Sequence, residues 1–253
     1  MLIKTIHTEK LVTEIYDTRQ AMGVAAAQAA ADAIHEVLKK KPFANVIFAA
    51  APSQNEMLDA LKKQNVDFSR INAFHMDEYV GLSIENQQSF ARYLTEHIFS
   101  CVEFASVNLI PASLEPEEAC ARYAALLAEY PPDVICMGIG ENGHIAFNDP
   151  PVADFADGKV IKKVELDMVC RMQQVHDGCF ATLDDVPKYA LTLTIPTLMS
   201  AEYLICTVPA VTKANAVKEM LCGAYGEHCP ATALRRHNGA KMFLDRDSAA
   251  KVV

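Results

Sequence analysis

The sequence predicts an α/β fold in which a mostly parallel central sheet is covered by helices on both faces, giving three layers. Short apolar runs alternate along the chain with longer amphipathic stretches, which is typical of proteins built from βαβ units. This alternation extends over the whole length without a convincing internal repeat, low-complexity tract or Gly/Ser linker. We therefore expect a single domain over residues 1–253.

The individual elements follow from composition and stop signals. An Ala-rich segment from Asp17 to Lys40 predicts a long helix that stops near Pro42. Further helices are predicted over Ser53 to Lys63, Gln88 to Phe99, Pro116 to Glu129 and Thr212 to Cys222. Strands are predicted over Val46 to Ala51, Ile71 to Met76, Asp133 to Gly138, Ala190 to Ile195, Tyr203 to Val208 and Lys241 to Leu244. Because ligands of such folds bind at the carboxyl ends of the strands, the residues after each strand are the candidate site.

The composition argues against several function classes. Lys and Arg total 23 against 32 Asp and Glu, a net charge of -9, which disfavours binding to nucleic acid or an anionic membrane. No apolar stretch approaches the ~20 residues of a membrane span, and the N-terminus has no apolar signal core. The eight cysteines form no C-x-x-C pair, which is typical of free thiols in a reducing compartment. We expect a cytoplasmic protein with no nucleic-acid or membrane partner.

Polar residues follow the first two predicted strands. Ser53 and Glu56 form an S-x-x-E capping box, which is either a plain helix start or an anion site at a helix N-terminus. Asp77 follows the second strand, where a partly desolvated carboxylate can act as a base, although a solvated acidic turn is the alternative. His75 and Asp77 form an H-x-D pair without further ligands at useful spacing, so we expect no metal ion.

The third strand runs into GIGENGHIAFNDPP, from Gly138 to Pro151, which contains the G-x-G-x-x-G spacing of a dinucleotide fingerprint. Its final Asn, Asp and two prolines stop any helix within two turns, so the context differs and we expect no organic cofactor. The loop carries His144 and Asp149 as a potential acid/base pair, unless His144 is structural. Lys213, at the start of a later helix, is either solvated or a counter-charge for phosphate.

Three segments together resemble the glucosamine-6-phosphate deaminases. They are FHMDEYVGL (Phe74 to Leu82), GIGENGHIAFNDP (Gly138 to Pro150) and VPKYALTLTIPTL (Val186 to Leu198). Their order and spacing fit over essentially the whole chain, and the first two are long and specific. The wider superfamily includes 6-phosphogluconolactonases and galactosamine-6-phosphate isomerases. The resemblance implies a Rossmann-like sandwich, a phosphosugar substrate and, as in some family members, a homo-oligomer.

The resemblance also implies roles for individual residues. Asp77 matches the general base that moves a proton between C2 and C1 of the opened sugar. His144 matches the residue that assists ring opening, and Asp149, which stands where the family usually has Glu, would orient it. Gly138 matches a position on the substrate loop, and Lys213 matches a lysine that contacts the substrate phosphate.

Three features depart from the family pattern. Asn142 stands where typical deaminases carry Asp, so one charge of the group that orients His144 is absent. The loop APSQNE, in which Ser53 and Gln54 would contact phosphate, replaces a loop rich in Gly and Thr. The family's phosphate-binding Arg has no clear match, and Arg171 is the nearest substitute. Three hypotheses follow: a hexosamine-6-phosphate deaminase, a lactonase in which His144 activates water, and a catalytically inactive sugar-phosphate sensor.

Overall fold

The structure, a computed structural model, describes residues 1–176 and 178–253. Its strands are Leu2–Thr8 (β1), Leu11–Tyr16 (β2), Ala44–Phe48 (β3), Ile71–His75 (β4), Asp77–Tyr79 (β5), Ser106–Asn108 (β6), Val134–Met137 (β7), Ile161–Glu165 (β8), Tyr189–Leu193 (β9), Tyr203–Val208 (β10) and Ala240–Asp245 (β11). Its helices are Arg19–Leu38 (α1), Asn55–Leu61 (α2), Phe90–Leu94 (α3), Pro116–Glu129 (α4), Met168–His176 (α5), Ile195–Leu198 (α6) and Ala214–Cys222 (α7). Short 3₁₀ turns precede α2 and α7, and a π-helical turn at Thr95–Phe99 extends α3.

Eight strands form the central sheet in the order β1-β2-β11-β10-β7-β3-β4-β6. The strands from β2 to β6 in this order are all parallel, and the edge strand β1 is antiparallel to β2. Side chains of β3 point alternately into two separate cores, with Val46 and Phe48 on one face and Ile47 on the other. Helices α1 and α2 cover the first face, and α4 and α7 cover the second. This arrangement confirms the predicted three-layer α/β class.

The helix α1 begins two residues after the predicted start at Asp17, because Thr18 caps it. The Thr18 hydroxyl accepts a hydrogen bond from the backbone N–H of Ala21 at 3.1 Å, which satisfies one of the unpaired donors of the first turn. Its buried face is mostly alanine, and these small side chains allow α1 to lie close to the sheet. Within residues 1–176 and 178–253, no helix combines the length and the apolar character that a membrane crossing requires.

A second, three-stranded antiparallel sheet in the order β5-β9-β8 was not foreseen from the sequence. The run ALTLTI was predicted as a strand of the main sheet, but β9 pairs with β8 and β5 instead. Its alternation of apolar and polar residues is typical of antiparallel sheets, whereas the buried parallel strands are continuously apolar. The sequence reading also passed over the hairpin of β1 and β2, whose first strand is largely exposed.

The chain passes from the large sheet to the small sheet between His75, the last residue of β4, and Asp77, the first of β5. The buried imidazole of His75 fixes this transition. Its Nε2 accepts a hydrogen bond from the backbone N–H of Ile110 at 2.7 Å, and its Nδ1 lies 2.9 Å from the carbonyl oxygen of Asp77. Because Nε2 accepts, Nδ1 carries the proton and donates to that carbonyl, as one neutral tautomer requires. Burial accordingly lowers the pKa of His75 to about 4.

The strand order reverses direction between β3 and β7. The chain proceeds from β3 to β4 and β6 on one side, and β7, β10 and β11 lie on the other. In open α/β sheets the crevice outside the carboxyl ends of the strands at such a reversal is the place where ligands bind. We therefore expect a ligand site among the segments that follow β3, β4, β7 and β10.

The His75 contacts predict a specific acid sensitivity. The pKa of His75 is lower in the folded chain than in the unfolded chain, so its stabilising effect is complete above pH 6.5 and is lost as the pH falls toward 4. We expect His75→Gln to be less stable than wild type at pH 7, and the difference to shrink by about 3 kcal/mol by pH 4. Urea unfolding across this range measures it, with His7→Gln at an exposed histidine as the control. A difference that does not change with pH would contradict the assignment.

Candidate active site

A cavity of about 200 Å³ lies at the carboxyl ends of β3, β4, β7 and β10. The predicted site residues that line it are Ser53, Gln54, Asp77, Gly138, His144 and Lys213. They come from segments far apart in sequence, and the parallel sheet brings these segments to the same edge. Two further predicted residues, Asn142 and Asp149, contact His144 from behind.

Asp77 is buried at the wall of the cavity, with 7% of its surface exposed. Burial, with a further contribution from the negative charge of Glu78, raises the pKa of Asp77 well above its ordinary value. Both effects disfavour the charged carboxylate, which makes it a stronger base once it is ionised. The next residue along the chain thus tunes the chemistry of Asp77.

Glu78 points the other way and is held by four hydrogen bonds. Its carboxylate accepts from the backbone N–H groups of Tyr79, Phe90 and Ala91 at 2.9 to 3.1 Å, and from the Ser89 hydroxyl at 2.8 Å. Burial raises the pKa of Glu78, and these hydrogen bonds work against that rise. Glu78 thereby fastens the start of α3 to the strand that carries Asp77.

His144 forms a compact hydrogen-bonded group with Asp149 and Asn142. The Nδ1 atom of His144 lies 2.9 Å from Oδ1 of Asp149. The amide of Asn142 donates to the same carboxylate at 2.9 Å, and its oxygen accepts from the backbone N–H of His144 at 3.0 Å. Asparagine suits this position because its side chain can both donate and accept, whereas an ionised Asp could only accept.

The pKa of the Asp149 carboxylate is shifted in the opposite direction to that of Asp77. Burial pushes the pKa of Asp149 upward, but the charge of His144 and hydrogen bonds from His144, Asn142 and Cys170 outweigh burial and lower it. Asp149 is therefore a stable anion at neutral pH. An anion at this distance from Nδ1 fixes the orientation of the imidazole and leaves Nε2 for chemistry.

The loop before His144 needs a glycine for this geometry. A Cβ atom on Gly140 would lie 2.1 to 2.3 Å from three atoms of the His144 ring, so any larger residue would displace the imidazole. The segment after the glycines contains turns and a single β-bridge between Ile145 and Asn148, with no helix. This is not the strand-to-helix context of a dinucleotide fingerprint.

Ser53 and Gln54 follow β3, Lys213 follows β10, and all three line the cavity. The Gln54 amide donates to the Ser53 hydroxyl at 3.1 Å and to the carbonyl of Thr207 at 3.2 Å, which ties the loop after β3 to the end of β10. Lys213 follows β10 and is only 6% exposed. A hydroxyl and a buried ammonium at one wall are groups that bind anions.

Arg171 is the one predicted site residue that neither lines the cavity nor contacts His144. It lies in α5, and its Nη2 atom donates to the carbonyl oxygens of Leu183 at 2.7 Å and Val186 at 3.0 Å. These contacts tie α5 to the segment before β9. The guanidinium of Arg171 thus has a structural role.

The structure also places polar residues in the cavity that the sequence reading missed. They are Arg19, Gln87, Gln88, Tyr93, Gln173 and Gln174. None directly follows a strand, so a search of strand ends passes over them. Glutamine amides both donate and accept hydrogen bonds, as sugar hydroxyls do.

Within the described ranges, one group of three side chains could approach a metal ion. The ligand atoms of His144, Asp149 and Cys170 lie within 4.8 Å of one another. Burial and the Asp149 charge raise the pKa of Cys170, so it is a neutral thiol rather than the thiolate that metals bind. Both ring nitrogens of His75 are engaged by backbone groups, so the H-x-D pair offers no free imidazole. The absence of a metal requirement stays a prediction.

Comparison with known proteins gives a consistent result. The model of the family described as glucosamine-6-phosphate isomerases/6-phosphogluconolactonase matches residues 17–243. A protein named glucosamine-6-phosphate deaminase from Bacillus thuringiensis (strain Al Hakam) is 33% identical over 224 residues, which cover 88% of this chain and 83% of the relative. A protein of the same name from Bacillus anthracis (strain A0248) matches equally well.

Solved structures agree with these sequence relatives. A structure described as a monomeric glucosamine-6-phosphate deaminase superposes with a TM-score of 0.86 at 28% identity, covering 94% of this chain and 99% of the other. A 6-phosphogluconolactonase from Thermotoga maritima superposes with a TM-score of 0.77 at 20% identity, covering 93% and 100%. The second similarity shows the shared fold alone.

Because Asp77 is buried, we expect its ionised carboxylate to lower the stability of the folded protein. Because the folded-state pKa of Asp77 is raised, ionising it destabilises the fold as the pH rises above the ordinary Asp range. We expect the free energy of unfolding of Asp77→Asn, measured with urea at pH 7, to exceed that of wild type by about 1–3 kcal/mol. This gain should shrink toward acid pH. The exposed Asp247→Asn is the matched control. A variant no more stable than wild type at pH 7 would show that Asp77 carries no such penalty.

Proposed function

Because the chain belongs to the family of glucosamine-6-phosphate isomerases and 6-phosphogluconolactonases, we propose that it converts glucosamine 6-phosphate into fructose 6-phosphate and ammonia. The observation that carries the proposal is the presence in one cavity of Asp77, with its raised pKa, and of the oriented imidazole of His144. These are the two acid/base groups that isomerisation of an amino sugar requires. Relatives at 33% identity that are named for this reaction support it.

The substrate phosphate binds beside Ser53, Gln54 and Lys213. The chain is acidic overall, with a net charge of -9, so a phosphorylated substrate needs a local positive site. The buried ammonium of Lys213 supplies that charge. The Ser53 hydroxyl, which lines the cavity, adds a donor.

His144 opens the pyranose ring. Asp149 fixes the imidazole through Nδ1 at 2.9 Å, so Nε2 faces the cavity and exchanges a proton with the ring oxygen and the C1 hydroxyl. Opening exposes an aldehyde at C1, which acidifies the proton on C2. No redox step occurs in this sequence, because isomerisation moves a hydrogen within the substrate.

Asp77 then removes the C2 proton. The electron pair of the C–H bond forms a C1–C2 double bond, while the π pair of the C1 carbonyl moves to O1, which takes a proton relayed by His144, giving an enolamine. Asp77 then returns its proton to C1 as the nitrogen lone pair forms a C2–N double bond. The product is a protonated imine at C2. Water adds to it, and ammonia leaves as the C2 carbonyl forms and one proton returns to His144. A positioned base with a pKa nearer to neutrality contributes ~10²- to 10⁴-fold to such a step.

The amides around the cavity recognise the sugar hydroxyls. Gln87, Gln88, Gln173 and Gln174 line it together with Gln54. Galactosamine 6-phosphate differs from glucosamine 6-phosphate at one hydroxyl, so it is the substrate against which selectivity is measured. We also propose a cytoplasmic location, since all eight cysteines are free thiols, as in a reducing compartment.

The proposal is tested by ammonia release from glucosamine 6-phosphate, coupled to glutamate dehydrogenase. Wild type should form ammonia, and Asp77→Asn should lose turnover by ~10²-fold or more while keeping its fold and its substrate binding. Near-normal turnover of the variant would contradict the role of Asp77. Hydrolysis of 6-phosphogluconolactone without ammonia release would favour the lactonase, and binding without any turnover would favour a sensor.

The pH dependence gives a second prediction. Activity requires ionised Asp77, so kcat/KM should fall as the pH drops through the pKa of Asp77, at a pH above the ordinary Asp range. Glu78→Gln removes a negative charge that raises this pKa, so the acid limb should move to lower pH. The exposed Glu85→Gln is the control and should leave the limb in place. An unmoved limb in folded Glu78→Gln would contradict the coupling.

A further inference from the structure

Arg19 is a cation in the cavity that does not come from any strand end. It is the first residue of α1, directly after the capping Thr18, and it lines the same cavity as Ser53 and Lys213. It lies upstream of β3, in a helix that packs against the sheet and against α2. Its position in the cavity therefore depends on how α1 packs.

Close packing of α1 against α2 brings Arg19 to the cavity. A Cβ atom on Gly23, one turn after Arg19, would lie 2.4 Å from Cβ of Glu56 and 2.8 Å from its carbonyl carbon. Only glycine allows the two helices to approach this closely. The approach brings the start of α1 against the loop APSQNE.

Two contacts then hold the Arg19 side chain in place. Its Nε atom forms an ion pair with the Glu56 carboxylate at 2.7 Å, and its Nη2 atom donates to the carbonyl oxygen of Pro52 at 2.5 Å. The hydrogen bond to Pro52 uses one of the five N–H donors of the guanidinium. Glu56 is not part of the cavity lining, so the carboxylate lies behind the guanidinium while Arg19 reaches the cavity.

We infer that Arg19 binds the phosphate group of the substrate together with Ser53 and Lys213, and thereby selects phosphorylated over neutral sugars. The inference deepens the proposed function and rests on it for the identity of the sugar. Arg171, the arginine expected to take this role from the sequence, is held by carbonyl groups elsewhere. A guanidinium presents a planar fork that matches phosphate oxygens, whereas an ammonium is a point charge.

The alternative is that Arg19 only braces α1 against α2. Bracing predicts that Arg19→Ala and Glu56→Gln lower stability similarly and leave anion binding unchanged. Phosphate binding predicts that the two variants differ. Glu56→Gln keeps the guanidinium in the chain, so phosphate affinity should survive in it and fall in Arg19→Ala.

The experiment is titration of the full-length protein with inorganic phosphate, followed by calorimetry or by NMR shifts. We expect Arg19→Ala to weaken phosphate binding by about 10- to 100-fold, and Arg19→Lys to fall between it and wild type. Arg122→Ala, in an exposed pair with Glu118 on α4, is the matched control and should bind as wild type does. Urea unfolding of each variant shows that it is folded.

A kinetic readout separates binding from chemistry. In Arg19→Ala, KM for glucosamine 6-phosphate should rise by about 10- to 100-fold, kcat should change little, and the preference over unphosphorylated glucosamine should collapse. Phosphate affinity of folded Arg19→Ala within twofold of wild type would overturn the inference. Arg19-dependent phosphate binding in a protein that releases no ammonia would overturn the proposed reaction instead and leave this inference standing.

Discussion

The neutral imidazole of His75 holds together the part of the structure on which the site depends. It joins the backbone of Ile110, beyond the edge strand β6, to the carbonyl of Asp77, where the chain leaves one sheet for another. Because both ring nitrogens are used, the imidazole has one tautomer and one orientation. Asp77 is consequently fixed by β-pairing on one side and by His75 on the other. A carboxylate held in this way needs little reorganisation to act as the proposed base.

The cavity uses two carboxylates whose environments push their pKa values in opposite directions. Asp77 is desolvated beside another acid, so its pKa is raised. Asp149 is equally buried but receives hydrogen bonds from His144 and Asn142, so its pKa is lowered. Such a pair allows one fold to hold a proton-accepting base and a permanent anion within one site. The substitution at Asn142 fits this arrangement, because its amide donates to Asp149 at the position where the family carries a second acid.

The sequence predicted the parts of the fold that local chemistry determines. The buried strands β3, β4, β7 and β10 were recognised by their apolar runs, and the polar residues after them do line one cavity. The small sheet was missed because its pairing joins segments far apart in the chain, which periodicity does not report. Arg19 was missed for a similar reason, since its place depends on the contact of Gly23 with Glu56. Family resemblance supplied the substrate, which no residue pattern in the chain specifies by itself.

We propose that one cavity binds the phosphate at the wall formed by Ser53 and Lys213 and presents C2 of the sugar to Asp77. The most direct test is a crystal structure with the open-chain alditol of glucosamine 6-phosphate, which lacks the aldehyde and cannot react. We expect the phosphate beside Ser53 and Lys213, and C2 within ~3.5 Å of the Asp77 carboxylate, the distance of a reactive complex. A bound analogue in the reverse orientation, or one with C2 out of reach of Asp77, would contradict it.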